Sequence, residues 1–265
     1  MSQIEKALKG AKKEREIPEI RETDRIEGIT YQKPVYKWTK VVPVEESSLL
    51  ENRIFTASSN PMVMDRYNLL RTQILNKTRS NGSNILLVTS VVKGEGKTLT
   101  AINLAISIAR EVNQTTLLVD ADLRHPTIHR FFGVNTEKGL SDYLLYDIPL
   151  PDLLVNPGIE KLVILPAGKG IPNSSEILDS PKMASLVQEM KGRYKDRYIV
   201  FDSSPILNSP DPLVLSSHVD AVLLVVEAGK TTTGQIKEAI GLLKGKNILG
   251  TVLNKAEFRE KDYGY

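Results

Sequence analysis

Short apolar runs rich in Val, Ile and Leu recur from Ile85 to Thr89, Thr116 to Asp120, Leu162 to Leu165, Tyr198 to Asp202, Ala221 to Val226 and Ile248 to Leu253. Each has the composition of a strand buried on both faces. Longer segments with helical spacing separate them. In the clearest, Thr98 to Arg110, the residues Leu99, Ile102, Ala105, Ile106 and Ala109 make one apolar face. Strands alternating with helices need right-handed crossovers, so the predicted class is α/β: a twisted, mostly parallel sheet flanked by helices on both faces. In such a sheet ligands bind at the carboxyl ends of the strands. With 265 residues, 41% of them hydrophobic, the chain can fill one sizeable core.

At the first strand end the sequence runs Ser90-Val91-Val92-Lys93-Gly94-Glu95-Gly96-Lys97-Thr98 directly into the helix. This is the strand, loop and helix setting of a phosphate loop. Its glycines let successive N–H groups converge on phosphate oxygens, and the helix N-terminus adds partial positive charge. A nucleoside triphosphate, ATP, is the expected ligand, contacted by Val92, Lys93, Gly94, Glu95, Gly96, Lys97, Thr98 and Leu99. Lys97 is placed to reach the β- and γ-phosphates and Thr98 to offer its hydroxyl to Mg²⁺. The pattern G-x-x-x-x-G-K-[ST] asks for glycine where this chain has Val91, so the loop is a variant.

Phosphoryl transfer needs charge neutralisation and alignment, which carboxylates at neighbouring strand ends supply. Two strands end in them: Leu117-Leu118-Val119-Asp120-Ala121-Asp122 and Tyr198-Ile199-Val200-Phe201-Asp202. Lys97, Asp120, Asp122 and Asp202 are therefore the catalytic candidates. His125 and His129 stand four apart, but Pro126 lies between them and no third ligand is nearby apart from the aspartates already employed, which disfavours a metal pair.

Together these segments resemble the bacterial tyrosine kinases, exopolysaccharide-linked autokinases on a P-loop NTPase fold shared with partition and septum-positioning ATPases. The likeness runs from about Pro61 to the C-terminus. It rests on a Walker A segment ending Gly94-Glu95-Gly96-Lys97-Thr98, a Walker A′ segment Leu118 to Arg124, and a Walker B segment Val200 to Pro205. Gly139-Leu140-Ser141-Asp142, Leu165-Pro166-Ala167-Gly168 and Leu253-Asn254-Lys255 follow in the family's order. The resemblance implies ATP-dependent autophosphorylation of tyrosine. It implies Lys97 on the phosphates, Thr98, Asp122 and Asp202 toward Mg²⁺, Asp120 and Asp202 orienting the reacting groups, and Asn254 at the adenine edge. Which aspartate is the base stays open. The signature lysine of the partition ATPases would fall at Val92, and the family's Glu-x-x-Arg-x-x-Arg assembly helix reads Asp65, Asn68 and Arg71.

The expected acceptors are Tyr263 and Tyr265, in a polar tail over residues 257–265 that reaches the site of another copy in a homo-oligomer. Residues 61–256 are assigned to the kinase domain, residues 17–60 to a mostly unstructured linker and residues 1–16 to a basic amphipathic helix. The start Ser2 to Leu8 resembles soluble autokinases of exosortase-linked loci. That implies a membrane-bound polysaccharide co-polymerase as activating partner, with unknown protein substrates besides. No apolar run approaches the roughly 20 residues of a membrane span, and there are no cysteines. A cytoplasmic chain recruited to the inner face of the membrane is the expectation. The net charge of +3 gives no reason to expect nucleic acid. Two other functions stay open: a partition-type ATPase switch and a nucleotide-binding scaffold with little turnover. Formation of phosphotyrosine separates them from a kinase.

Overall fold

The computed structural model describes residues 39–193 and 196–257. The expected N-terminal helix, Tyr194 and the tail tyrosines Tyr263 and Tyr265 lie outside the described residues. The strands are β1 (Lys40–Val41), β2 (Ile85–Ser90), β3 (Thr115–Asp120), β4 (Val155–Asn156), β5 (Leu162–Leu165), β6 (Arg197–Asp202), β7 (Ala221–Glu227) and β8 (Ile248–Asn254). The helices are α1 (Glu46–Glu51), α2 (Pro61–Thr78), α3 (Lys97–Ala109), α4 (Ile128–Phe131), α5 (Leu140–Tyr146), α6 (Leu150–Leu153), α7 (Ser174–Leu178), α8 (Pro181–Arg193), α9 (Asp211–Leu215) and α10 (Thr233–Leu242).

The strands form one sheet in the order β1-β4-β5-β3-β6-β2-β7-β8. Every pairing is parallel except β4 with β5. Each of the six long apolar runs is a strand, as expected. Sequence reading missed β1 and β4, because two residues carry no periodicity.

Side chains alternate across each strand and feed two cores. Ile85, Leu87, Leu117, Val119, Ile199 and Phe201 enter one, closed by Met183, Leu186, Val187 and Met190 of α8. Leu86, Val88, Leu118, Val200, Leu223 and Val225 enter the other, against Ala101, Ile102, Ala105 and Ile106 of α3. Helix α3 is buried almost all round because α2 covers its outer side. The Arg71 guanidinium of α2 donates to the Ser107 carbonyl at 2.9 Å and pairs with Glu111 at 3.0 Å. This last basic position of the assembly-helix pattern is thus engaged within the chain. Asn60 caps α2 by accepting from the Met62 N–H at 2.9 Å, with Pro61 in the first turn.

The linker expectation needs correction over residues 39–60. Strand β1 pairs with β4, and Ile54 and Phe55 lie wholly within the second core. Asn103, buried in α3, accepts from the Phe55 N–H at 3.0 Å and donates to the Arg53 carbonyl at 3.0 Å. Two apolar anchors and one buried amide hold a segment whose charges and prolines show no period. Among the described residues no helix is long and apolar enough to cross a membrane.

Candidate active site

The register of the sheet brings the expected acids together. Asp120 pairs with Asp202 across β3 and β6, and Asp202 pairs with Val88 across β6 and β2. The phosphate loop leaves β2 at this same carboxyl edge.

Val91 occupies the position of the missing glycine without strain. Its side chain is fully buried in the first core, and it is not among the residues with positive φ. The positive φ falls on Gly94 and Gly96, both at 92°. At Gly96 there is a second constraint, since a Cβ would stand 2.2 Å from the Asn254 amide nitrogen. Among the described residues, the amides from Lys93 to Thr98 donate to no protein acceptor. They form a row of N–H groups at the N-terminus of the 13-residue α3, where the helix dipole is positive. Such a row fits a polyphosphate.

Lys97 extends from the first turn of α3 into the carboxylates. Its ammonium lies 2.9 Å from Asp122, 3.7 Å from Asp202 and 3.0 Å from the Thr98 hydroxyl. Thr98 donates to Asp202 at 2.7 Å. The other oxygen of Asp202 is buried with no hydrogen-bond partner. Asp120 is held by backbone alone, accepting from the Asp122, Thr127 and Ile128 N–H groups at 3.3, 3.1 and 3.0 Å.

Burial pushes the carboxyl of Asp120 up to about 7, reinforced by the charge of Asp202. Burial also dominates at Asp202, against the pull of Lys97 and the Thr98 hydroxyl, and takes it up to about 6. For Lys97 burial disfavours the charge, but Asp202 and Asp122 outweigh it and the ammonium is strengthened. The folded protein therefore holds more protons on these aspartates than the unfolded chain between about pH 4 and 7, and stability falls as pH rises through that window. His129 opposes this, since burial and Arg130 lower its pKa. In a His129→Gln background, chelator-treated and without nucleotide, the Tm is expected to be higher at pH 6 than at pH 8. Each extra proton contributes at most about 1.4 kcal/mol per pH unit, and each kcal/mol moves a chain of this size by roughly 2–4 °C. A flat or inverted profile would contradict the burial of charge at the pair.

The remaining expected contacts divide. Asn254, at the end of β8, donates its amide to the Glu95 carbonyl at 2.7 Å and lines a groove of about 350 Å³ with Met62, Val63, Tyr67, Leu70 and Thr100. Lys93 is exposed on the loop, whereas Leu99 packs against the second core. The Val92 N–H is committed to the Glu95 carboxylate at 2.7 Å, and that carboxylate is buried behind the loop. The Val92 N–H is thus occupied within the loop, whereas the Glu95 N–H stays among the amides that meet no protein acceptor. Sequence reasoning also missed Lys255, which donates to the Gly94 carbonyl at 2.7 Å and pairs with Glu227 at 3.1 Å. Its position inside the Leu253-Asn254-Lys255 motif was the available signal. Among the described residues no three His, Cys, Asp or Glu side chains converge as a metal cage. Asp142 caps α5 by accepting from the Gly139 N–H at 2.9 Å. Burial pushes the Tyr198 hydroxyl up to about 12.

Comparison with known proteins gives a consistent result. A family model described as an AAA domain matches residues 83–248. The tyrosine-protein kinase YwqD of Bacillus subtilis is 32% identical over 223 residues, covering 83% of this chain and 92% of the relative. Tyrosine-protein kinase CpsD of Streptococcus pneumoniae is 35% identical over 202 residues, 75% of this chain and 86% of the relative. The kinase domain of the Escherichia coli tyrosine kinase ETK superposes with a TM-score of 0.69 at 27% identity, covering 88% of this chain and 95% of that one. The likeness extends to the septum site-determining protein MinD of Pyrococcus horikoshii, complexed with Mg-ADP, at a TM-score of 0.56 and 26% identity, over 67% and 72% of the two chains.

Proposed function

The chain belongs to the bacterial tyrosine-protein kinases and is an ATP-dependent kinase of that family; on this premise we propose how its residues divide the reaction and what they act on. The γ-phosphate of ATP passes to a tyrosine hydroxyl: the bond from the γ-phosphorus to the bridging oxygen breaks, and that oxygen leaves with ADP, keeping the electron pair. A bond from phosphorus to the phenolic oxygen forms, and the phenolic proton goes to the Asp120–Asp202 pair. Asp120, which lies outside the Mg²⁺ set of Thr98, Asp122 and Asp202 and is raised toward neutral pKa by burial and by Asp202, is suited to that exchange. The amides from Lys93 to Thr98 hold the phosphates, and Lys97 neutralises the charge that develops on them. Asn254 and its groove receive the base.

The observation that carries this reading is the placement of Lys97 within 2.9 Å of Asp122 and 3.7 Å of Asp202, beside the free loop amides. A cation already sits among the acids, and one Asp202 oxygen has no partner. Thr98, Asp122 and Asp202 thus fit Mg²⁺, which is commonly held by few protein oxygens together with phosphates and water. Held by these residues, the ion would supply positive charge to offset that of the phosphates.

The acceptors are Tyr263 and Tyr265 of another copy, and the process served is exopolysaccharide assembly, with a membrane-bound co-polymerase recruiting the chain to the inner membrane face. Incubation with Mg-ATP followed by peptide mass spectrometry is expected to place phosphate on one or both tail tyrosines. Tyr263→Phe with Tyr265→Phe should remove most phosphotyrosine. An unmodified tail in a preparation that turns ATP over would sink the acceptor assignment.

A further inference from the structure

Glu95 stands between the two glycines of the phosphate loop, yet its side chain is only 1% exposed. One carboxylate oxygen accepts from the Val92 N–H at 2.7 Å. The other accepts from the Glu227 N–H at 3.3 Å and from the Thr231 hydroxyl. Thr231 in turn accepts from the Glu227 N–H at 3.0 Å. The carboxylate therefore ties the start of the loop to the turn that follows β7.

The main chain on either side is also gripped. Asn254 donates to the Glu95 carbonyl and Lys255 to the Gly94 carbonyl, each at 2.7 Å. Lys255 reaches there from a left-handed conformation with φ of 58°, which costs a non-glycine residue energy and persists only where surroundings enforce it. With both carbonyls drawn outward and the Val92 N–H drawn backward, the remaining amides are left free on the phosphate side.

We propose that Glu95 is a positioning residue for ATP: through Val92 and Thr231 its buried carboxylate holds the loop in the conformation that presents the amides from Lys93 to Thr98. It touches no reacting atom. This rests on the reading of the loop as the ATP site and adds a residue pair that sets affinity. A preorganised loop avoids the ordering cost of closing around phosphate, so its loss weakens nucleotide binding more than the chemical step.

The test is a double-mutant cycle on Glu95 and Thr231, read as affinity for a fluorescent ATP analogue and as KM and kcat. Glu95→Ala is expected to raise the dissociation constant and KM about tenfold while kcat moves less than about threefold. Glu95→Gln, which can still accept from Val92, should recover most of that loss. Thr231→Val should weaken binding about threefold and Thr231→Ser, which keeps the hydroxyl, should restore it. Because both act through one carboxylate, Glu95→Ala with Thr231→Val should bind no worse than Glu95→Ala within about twofold. Wild-type affinity in Glu95→Ala, or single effects that multiply in the double variant, overturns the proposal. Should Glu95→Ala fail to fold, Thr231→Val against Thr231→Ser decides: equal affinities overturn it. A chain that binds the analogue with this coupling but forms no phosphotyrosine refutes the kinase assignment and leaves the role of Glu95 standing.

Discussion

Lys97→Met is expected to reduce phosphotyrosine formation by about 10³-fold or more, equivalent to about 4 kcal/mol of lost transition-state stabilisation. The reason is the position of the ammonium, beside Asp122 and Asp202 and next to the loop amides. Methionine keeps the length of the side chain and removes the only part that can answer growing negative charge. The same change strips a cation from buried acids, and breaking such a pair typically costs about 3–5 kcal/mol. Acid can supply the missing positive charge by protonating Asp120 and Asp202. The stability deficit of Lys97→Met should therefore shrink as pH falls from 8 to 6, while the loss of transfer remains. Radiolabelled ATP measures the transfer, and chemical denaturation at the two pH values measures the deficit. Full autophosphorylation in this variant would show that the site has been assigned wrongly.

Asp202→Asn is expected to move activity and stability in opposite directions. Transfer should fall by about 10²- to 10³-fold, because the Thr98–Asp202 contact loses its charge and the acceptor proton loses half of the pair that receives it. Stability without nucleotide should rise, by on the order of 1 kcal/mol at pH 8, because the variant no longer ionises a fully buried carboxyl. That sign follows from the carboxyl being raised to about 6 by burial despite Lys97 and Thr98. The pH dependence of the Tm should flatten in the same variant. A variant that is both inactive and less stable would mean that Asp202 serves chiefly as a structural partner of Lys97.

Much of the fold was legible because both of its periods are local. Each strand run is continuous, and the face of α3 follows from the spacing of Leu99, Ile102, Ala105, Ile106 and Ala109. Residues 39–60 were not legible in the same way. Their hold on the core comes from Ile54, Phe55 and a bond from Phe55 to Asn103, which lies 48 positions along the chain. Neither anchor repeats, so no window over the sequence contains the partner that orders it. The partners of Arg71 were hidden for a related reason, since Ser107 and Glu111 come beside it only in the folded chain.

By itself the amino-acid sequence determined the chemistry present: glycines where a loop must turn, a lysine and threonine opening a helix, and aspartates closing hydrophobic strands. Those features follow from backbone stereochemistry and hydrophobic period, which a chain expresses within a few residues. Tertiary structure alone decided which of them meet. The order β3-β6-β2 sets Asp120 and Asp202 side by side and brings Thr98 to Asp202 across 104 positions. It also turned Glu95 away from the phosphate side, toward Glu227 and Thr231, more than 130 positions along the chain. Its direction depends on donors in a distant turn, because a buried carboxylate must find hydrogen bonds wherever the fold supplies them.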